Sequence, residues 1–388
     1  KGHTQDGHKF IPEAISRGAR AIIAETPPPP DSPVTWITVP DSRIALGRVA
    51  AKFYRDPSLK LKIVGITGTN GKTTISYIME SIFREAGYKP GVIGTINYRF
   101  GNTVKQSLNT TPQSLEIQKL LAEMEQEGVS YVAMEVSSHA LDQNRIEGVN
   151  FTGGIFTNLT PEHLDYHKTM EKYRQAKLKL FRKIRTAVVN LDMENPSDFM
   201  NCNARIIYVY STKSQNPISL SKQENQSRKL KNILAEGIEL GKQGTKYKVQ
   251  DIDFSLKLPG LFNVANALAA TCVGLNYGIS LNECAEALEK IEGMPGRMEY
   301  VPNNRKIDII VDFALTPAAL ESFYNFLRET RKNPETKIIA VFGACGERDR
   351  GKRPILGEIA SQYADKIIIT NDEPYHEDPE RIIKEISA

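Results

Sequence analysis

The sequence predicts an α/β protein with a central, mostly parallel sheet covered by helices on both faces. Smaller units are expected before and after it. Three observations carry that expectation. LKIVGIT (61–67) is a continuous apolar run, as a strand buried on both faces requires. Apolar strand-like segments then alternate with helical ones, the order that a parallel sheet with crossover helices needs. The alternation restarts after GMPGR (293–297), a turn-forming break.

Composition bounds the reading. The chain has 388 residues, 40% hydrophobic and 25% charged, enough for two or more domains at roughly 100–200 residues each. Disorder, collagen and coiled coil are excluded as descriptions of the whole. No apolar run approaches the about 18 residues of a membrane span, so none is expected. Fifty basic and 46 acidic residues leave a net charge of +4, too small and scattered to argue for nucleic acid. Cys202, Cys272, Cys284 and Cys345 form no C-x-x-C pair, which suits a reducing compartment. The chain opens on Lys1 in mid-pattern and stops after a helix, so a piece cut at both ends is expected.

Taken in order, residues 8–24 read as a helix and a buried strand, followed by the proline loop TPPPPDSP (26–33), a helix at 44–54 and a linker at 55–60. After the strand at 61–67 come a helix at 73–86 and strands near 91–96, 131–136, 154–157, 187–191 and 205–210. Helices at 114–126 and 170–182 alternate with them. Residues 233–258 read as an antiparallel extension, and helices at 264–275 and 282–291 close the unit. Beyond the break, strands at 307–312, 337–342 and 366–370 alternate with helices at 317–331, 354–363 and 379–386. Three domains follow: 1–58, 59–298 and 299–388.

The sharpest motif is GITGTNGKTT (65–74), at a strand end and opening a helix. Backbone amides of Gly68, Thr69, Asn70 and Gly71 suit a phosphate cradle, Lys72 would reach the outer phosphates, and the Thr73 hydroxyl would bind magnesium. The usual P-loop spacing is missed by one residue, since glycine stands at Gly65 rather than at Ile66. EVSSHALDQNR (135–145) follows an apolar strand, and Glu135 there could hold magnesium. A solvated, capped loop explains it equally well. In TNLTPEHLDYH (157–167), loop histidines are more often surface groups than ligands. By pattern alone Lys177 is an exposed helix lysine. FGACGERDRGKRP (342–354) is a cationic turn at a strand end, suited to a phosphate or carboxylate or simply solvated.

The order of these motifs, with NTTP (109–112), LFNVANALAA (261–270), GMPGRME and VDFALTP (311–317), resembles the Mur ligases, and among them the MurE type. The resemblance runs over nearly the whole chain. It implies a three-domain architecture: a UDP-substrate-binding domain, a P-loop ATPase domain with a parallel or mixed sheet, and a Rossmann-like domain for the amino acid. It implies ATP and Mg2+, with Thr73, Glu135, His163 and a carbamylated Lys177 around the metal, and Lys72, Lys177 and His163 in catalysis. Thr74, Asn263, Asn266, Arg297 and Asp312 join the loop as nucleotide contacts. Thr110, Thr111, Ser137, Ser138, His139, Gln143 and Arg145 would meet a UDP-N-acetylmuramoyl dipeptide, and Arg348, Asp372, Glu373, Pro374 and Tyr375 a free amino acid. A cytoplasmic monomer in peptidoglycan synthesis is the expected setting.

The implied reaction is amide ligation through an acyl phosphate formed on the D-glutamate γ-carboxylate, with domain closure about the linker near 293–299. Leu315 stands where the family usually has histidine, and Asp372-Glu373-Pro374-Tyr375 replaces its frequent Asp-Asn-Pro-Arg. Without that arginine, the acids Asp372, Glu373, Glu377 and Asp378 favour an incoming side chain that ends in an ammonium, such as lysine. Arg348 or Arg350 could instead supply the missing cation. Two rivals are an amide ligase of the folylpolyglutamate synthetase type and a catalytically silent relative that binds nucleotide or precursor.

Overall fold

The structure is a computed structural model that describes residues 6–213, 228–305, 307–331, 333 and 335–388. Its centre is a nine-stranded sheet. From one edge the strands are Lys229–Leu234, Ile206–Ser211, Thr186–Asn190, Phe151–Phe156, Lys62–Thr67, Tyr131–Glu135, Pro90–Ile93, Asn97–Phe100 and Thr103–Gln106. The first seven are parallel, and the last two form an antiparallel hairpin on the edge. The sequence reading had missed that hairpin. Its turn at Gly101 has φ +52° and joins two polar segments of only four residues each, too short for an alternation to stand out.

Strand Lys62–Thr67 is buried as its apolar run demands. Val64 and Ile66 pack on one face with Ile75, Met79 and Ile82 of helix Lys72–Glu85 and with Val264 and Leu268 of helix Leu261–Asn276. Leu61 and Ile63 face the other way, onto Ile117, Leu121 and Met124 of helix Ser114–Gln126 and onto Phe181. Side-chain period two therefore feeds two cores from one strand. The antiparallel extension is a three-stranded sheet of Glu236–Gly241, Gly244–Val249 and Ile252–Leu256. The segment expected to open it instead divides: Lys229–Leu234 joins the main sheet in parallel beside Ile206–Ser211. The helix expected over 170–182 is α-helical at Met170–Leu178 and tightens to a 3₁₀ helix at Lys179–Lys183.

At the N-terminal end, strands Ala21–Ala24 and Thr35–Thr38 pair in parallel across the proline loop. The first of them is only half buried, with Ile22 and Ala24 turned inward. In the C-terminal part, Ile339–Phe342 and Lys366–Ile369 form a parallel pair flanked by helices Pro317–Thr330, Lys352–Tyr363 and Pro379–Ser387. The strand expected at 307–312 does not join them. It shrinks to Ile310–Val311 and pairs antiparallel with Glu299–Tyr300, because Val301 N donates to Ile309 O and Lys242 pairs with Asp308, drawing the segment to the linker. No helix among the described residues is long and apolar enough to cross a membrane.

Candidate active site

Polar side chains gather at the C-terminal edge of the central sheet, where open α/β sheets take ligands. Strand Lys62–Thr67 runs into the loop 68–71, and helix Lys72–Glu85 starts directly after it. Gly68 and Gly71 have φ of +150° and +90°. A Cβ at Gly68 would lie 1.8 Å from Thr157 Oγ1, and one at Gly71 2.4 Å from Asn266 Oδ1, so both positions require glycine. The loop is tied to the next strand end. Asn70 N donates to Asn158 Oδ1 at 2.9 Å, and Thr157 Oγ1 donates to Asn70 O at 2.6 Å. The Lys72 ammonium folds back onto the loop, donating to Gly68 O at 2.9 Å and Thr69 O at 2.8 Å. Burial lowers its pKa, and the Glu135 charge opposes that. Thr74 is buried one residue past Thr73, in the first turn of the helix.

Glu135 ends the neighbouring strand and is 1% exposed. It accepts from Thr73 Oγ1 at 3.0 Å, Thr95 N at 3.0 Å and Thr95 Oγ1 at 2.9 Å. His163, at φ +58°, and Lys177 belong to the same region: the Lys72 charge acts on both, and the Lys177 charge on His163. Burial, with help from His139, Lys72 and Lys177, pushes the His163 pKa down to about 2. Burial and His167 push His139 down to about 4. The two rings meet edge to face at 4.6 Å, and both are neutral, as a metal-ligating imidazole must be.

Lys177 is not the exposed lysine of its local pattern. Helix Met170–Leu178 packs against helix Ser138–Asp142 and turns Tyr173, Ala176 and Lys177 inward, leaving Lys177 1% exposed. Its Nζ lies 4.4 Å from the centroid of the Tyr173 ring and makes no hydrogen bond or ion pair among the described residues. Burial, then the Lys72 charge, hold its pKa well below the usual lysine value.

A hydroxyl- and guanidinium-lined wall adjoins Glu135. Thr111 Oγ1 donates to Glu135 O and accepts from Ser137 N, each at 2.9 Å. Thr110 Oγ1 is 3.1 Å from Thr95 Oγ1. Arg145 donates to Thr111 O at 3.0 Å and through Nε and Nη2 to Gln143 Oε1 at 2.9 and 2.7 Å. Ser138 Oγ is 2.9 Å from His167 Nε2. On the opposite side, Asn263 Nδ2 donates to Pro259 O at 2.8 Å, and Asn266 Nδ2 to Asn263 Oδ1 at 3.2 Å. Arg297 reaches from the linker to Thr73 Oγ1 at 3.4 Å, and Asp312 accepts from Met298 N at 2.8 Å. A cleft of about 820 Å³ opens at this linker, and no residue of loop 68–71 lines it.

Arg348 and the segment 372–375 form a separate group. The Arg348 guanidinium is 5.9 Å from the Tyr375 ring centroid, and Tyr375 OH donates to Glu373 Oε2 at 3.0 Å. Asp372 accepts the Cys345 thiol at 3.4 Å, and the Pro374 carbonyl presses so close to Gly346 that a Cβ there would sit 1.9 Å from it. No hydrogen bond among the described residues joins this group to the phosphate loop. The acids read as favouring an ammonium-ended side chain have partners of their own in this structure. Arg353 and Arg350 both pair with Glu377, at 3.0 and 3.1 Å, and Asp378 caps helix Pro379–Ser387.

Sequence reasoning had also missed Thr95, Tyr173, Glu162 and Lys352. Glu162 lies beside His163, yet nothing in PEH separates it from a solvated acid. Lys352 Nζ donates to its Oε1 at 3.1 Å.

Thr73 and Glu135 suit magnesium, a hydroxyl and a carboxylate already 3.0 Å apart at a phosphate loop. No three His, Cys, Asp or Glu side chains converge on a metal position among the described residues.

Comparison with known proteins gives these residues a family. The Mur ligase middle domain matches residues 66–274, and the Mur ligase glutamate ligase domain matches residues 296–388. UDP-N-acetylmuramoyl-L-alanyl-D-glutamate--2,6-diaminopimelate ligase 1 of Clostridium acetobutylicum is 40% identical over 394 residues, covering 100% of this chain and 78% of the relative. The corresponding ligase of Clostridium botulinum is 41% identical over 393 residues, with the same coverage. A solved structure of a ligase of that name superposes with a TM-score of 0.71 at 30% identity, covering 97% of this chain and 75% of the other. A folylpolyglutamate synthase of Mycobacterium tuberculosis, at 14% identity and a TM-score of 0.67 over 89% of this chain and 82% of its own, shares the fold. With the phosphate loop, the strand-end glutamate and the buried lysine held in one cluster, and with those matches along its length, the chain belongs to the Mur ligase family.

Proposed function

We propose that this protein is the ATP-dependent ligase that adds the third stem-peptide residue, meso-diaminopimelate, to UDP-N-acetylmuramoyl-L-alanyl-D-glutamate. The observation that carries the reading is the Lys177 amine, buried without a hydrogen bond and close enough to Lys72 to feel its charge, with the Thr73–Glu135 pair one residue on from Lys72. A surface lysine has no reason to be there. A buried amine held toward its neutral form can add to carbon dioxide, losing one proton and becoming a carbamate. That would set a carboxylate-like group near the neutral His163 imidazole. The diaminopimelate assignment is supported by the names of the relatives at 40% and 41% identity.

In this reading the amides of loop 68–71 and the positive end of helix Lys72–Glu85 cradle the ATP phosphates. Lys72 leaves the loop carbonyls for the outer phosphates. Thr73, Glu135, His163 and carbamylated Lys177 would hold magnesium, which when bound offsets charge on the transferring phosphoryl group. Asn263, Asn266, Arg297 and Asp312 line the nucleotide side. The wall of Thr110, Thr111, Ser137, Ser138, His139, Gln143 and Arg145 orients the muramoyl dipeptide, so that its γ-carboxylate meets the γ-phosphoryl in line. The neutral amine of the incoming residue, presented by Arg348 and the 372–375 segment, then attacks the acyl phosphate and releases phosphate. The three domains, at 1–58, 59–298 and 299–388, would each bring one substrate.

The test is the mass of the product formed from ATP, the UDP-muramoyl dipeptide and a mixture of amino acids. A precursor heavier by one diaminopimelate residue, with one ADP and one phosphate released per product, is expected. Phosphate release without a heavier precursor would remove the ligase reading.

A further inference from the structure

Glu162 and Lys352 are 190 residues apart in sequence, one in the loop before His163 and the other at the first position of helix Lys352–Tyr363. Lys352 Nζ lies 3.1 Å from Glu162 Oε1, and each side chain is only 12% exposed. The second oxygen, Oε2, is buried and has no hydrogen-bond partner. The pair is about as dry as Arg99 with Glu80 and far less exposed than Arg17 with Glu13 or Lys248 with Asp253, and unlike Arg99 with Glu80 it joins two units. It joins the C-terminal unit to the loop that carries His163.

Its surroundings give it a purpose. Beyond its contact with Lys352, the Glu162 charge also reaches the two buried lysines of the candidate site, Lys72 and Lys177. Unpaired, its charge would repel an incoming phosphoryl group. Paired with Lys352, it is neutralised, and the start of helix Lys352–Tyr363 is anchored against the loop. Other crossings between these units are Asn70 Nδ2 to Thr316 Oγ1 at 3.2 Å, Met298 N to Asp312 Oδ2 at 2.8 Å at the linker, and Lys242 with Asp308 at the exposed hairpin.

We propose that Glu162 is a positioning residue that docks Lys352, and with it the amino-acid-binding unit, onto the phosphoryl-transfer site. The proposal rests on the ligase reading for its kinetics and on the fold alone for its geometry. Two readouts separate them.

The first needs no turnover: the distance between labels on helix Ser114–Gln126 and helix Pro379–Ser387, measured with and without ATP and magnesium. The wild-type enzyme should populate one short distance. Glu162→Gln and Lys352→Gln should broaden or lengthen it, and the exchange Glu162→Lys with Lys352→Glu should shorten it again. The second is kinetic. Glu162→Gln should raise KM for the incoming amino acid about tenfold or more while nucleotide affinity, measured by titration of a fluorescent ATP analogue, changes less than about twofold, and Glu162→Asp should recover most of the loss. If Glu162→Gln does not fold, Lys352→Gln tests the same pair from its partner's side. Unchanged distances in both single variants would overturn the docking role. If no variant or wild type turns over the precursor while the distances respond as stated, the ligase reading fails and the docking role stands.

Discussion

The Thr73 hydroxyl donates a 3.0 Å hydrogen bond to Glu135 Oε2, tying the first turn of one helix to the end of the neighbouring strand. The Lys72 ammonium rests on Gly68 O and Thr69 O, beside the amides proposed to cradle phosphate. A Lys72 that moves from these carbonyls onto the outer phosphates would meet the charge that develops on the transferring group. Replacing Lys72 by alanine should therefore abolish turnover, by at least about 1,000-fold in kcat, without unfolding the protein. Turnover within tenfold of wild type, in a variant with an unchanged circular dichroism spectrum, would remove the phosphate-loop assignment.

The Lys177 variant tests the carbamate. Lys177→Ala should lose most activity, about 100-fold or more, and formate or acetate should restore part of it by supplying a carboxylate in the emptied space. Labelled bicarbonate should give a carbamate carbon signal in the wild type that the variant lacks. A fully active alanine variant would leave Lys177 as a buried lysine of unknown purpose.

What was legible in the sequence is what short-range pattern carries. The run 61–67, buried on both faces, and the helix Ser114–Gln126 lie where periodicity puts them, because strand and helix periods are local properties. Gly68 and Gly71 were legible as glycines, but the reason they must be glycine, Thr157 Oγ1 and Asn266 Oδ1 pressing on them, is a contact across the fold. Lys177 shows the limit most plainly. Its helix, Met170–Leu178, is strongly polar, and only the packing of helix Ser138–Asp142 against it decides which face is inside. Glu162 and Lys352 lay in quoted motifs, yet their pairing depends on how two domains meet, which no local spacing encodes.

The Arg353 guanidinium, fully buried, donates to Glu377 through Nη1 at 3.0 Å and to Cys345 O at 3.1 Å, and also pairs with Glu385. The bond from Arg353 is the largest reason the Glu377 carboxyl is held down to about 2, from its ordinary 4.5. A carboxyl with a lowered folded-state pKa contributes stability that is present in full above its unfolded value and is lost as pH falls through its folded one. The window is thus 4.5 down to about 2. Glu377→Gln should lower the Tm of the C-terminal unit near neutral pH, and the gap to wild type should close as pH falls through that window. A gap constant from pH 6 to pH 3 would mean that the pair contributes nothing by charge. Arg353→Met, which leaves Glu377 to Arg350 and Glu385 to Arg381, should cost about 1–3 kcal/mol.

The choice of incoming residue turns on Tyr375. It stands where arginine is frequent in the family motif, and the acids around it suggested an ammonium-ended side chain such as lysine. The structure weakens that argument. Glu377 is held by Arg350 and Arg353, Asp378 caps a helix, and Glu373 accepts the Tyr375 hydroxyl. Arg348 instead has its guanidinium 5.9 Å from the Tyr375 ring centroid and forms no ion pair among the described residues. It is the cation left to meet a carboxylate, and the aromatic ring is what it rests against. meso-Diaminopimelate should therefore be preferred over lysine. Arg348→Ala should reduce kcat/KM for diaminopimelate by about ten- to a hundredfold, the value of one charge-assisted pair worth about 1.5–3 kcal/mol. Tyr375→Phe, which keeps the ring and loses only the bond to Glu373, should change kcat/KM less than about threefold. The measurement is a competition between the two amino acids at equal concentration, read by product mass. Lysine winning that competition in the wild-type enzyme would return the acidic segment to the role first read for it, with Tyr375→Arg then expected to shift use toward diaminopimelate.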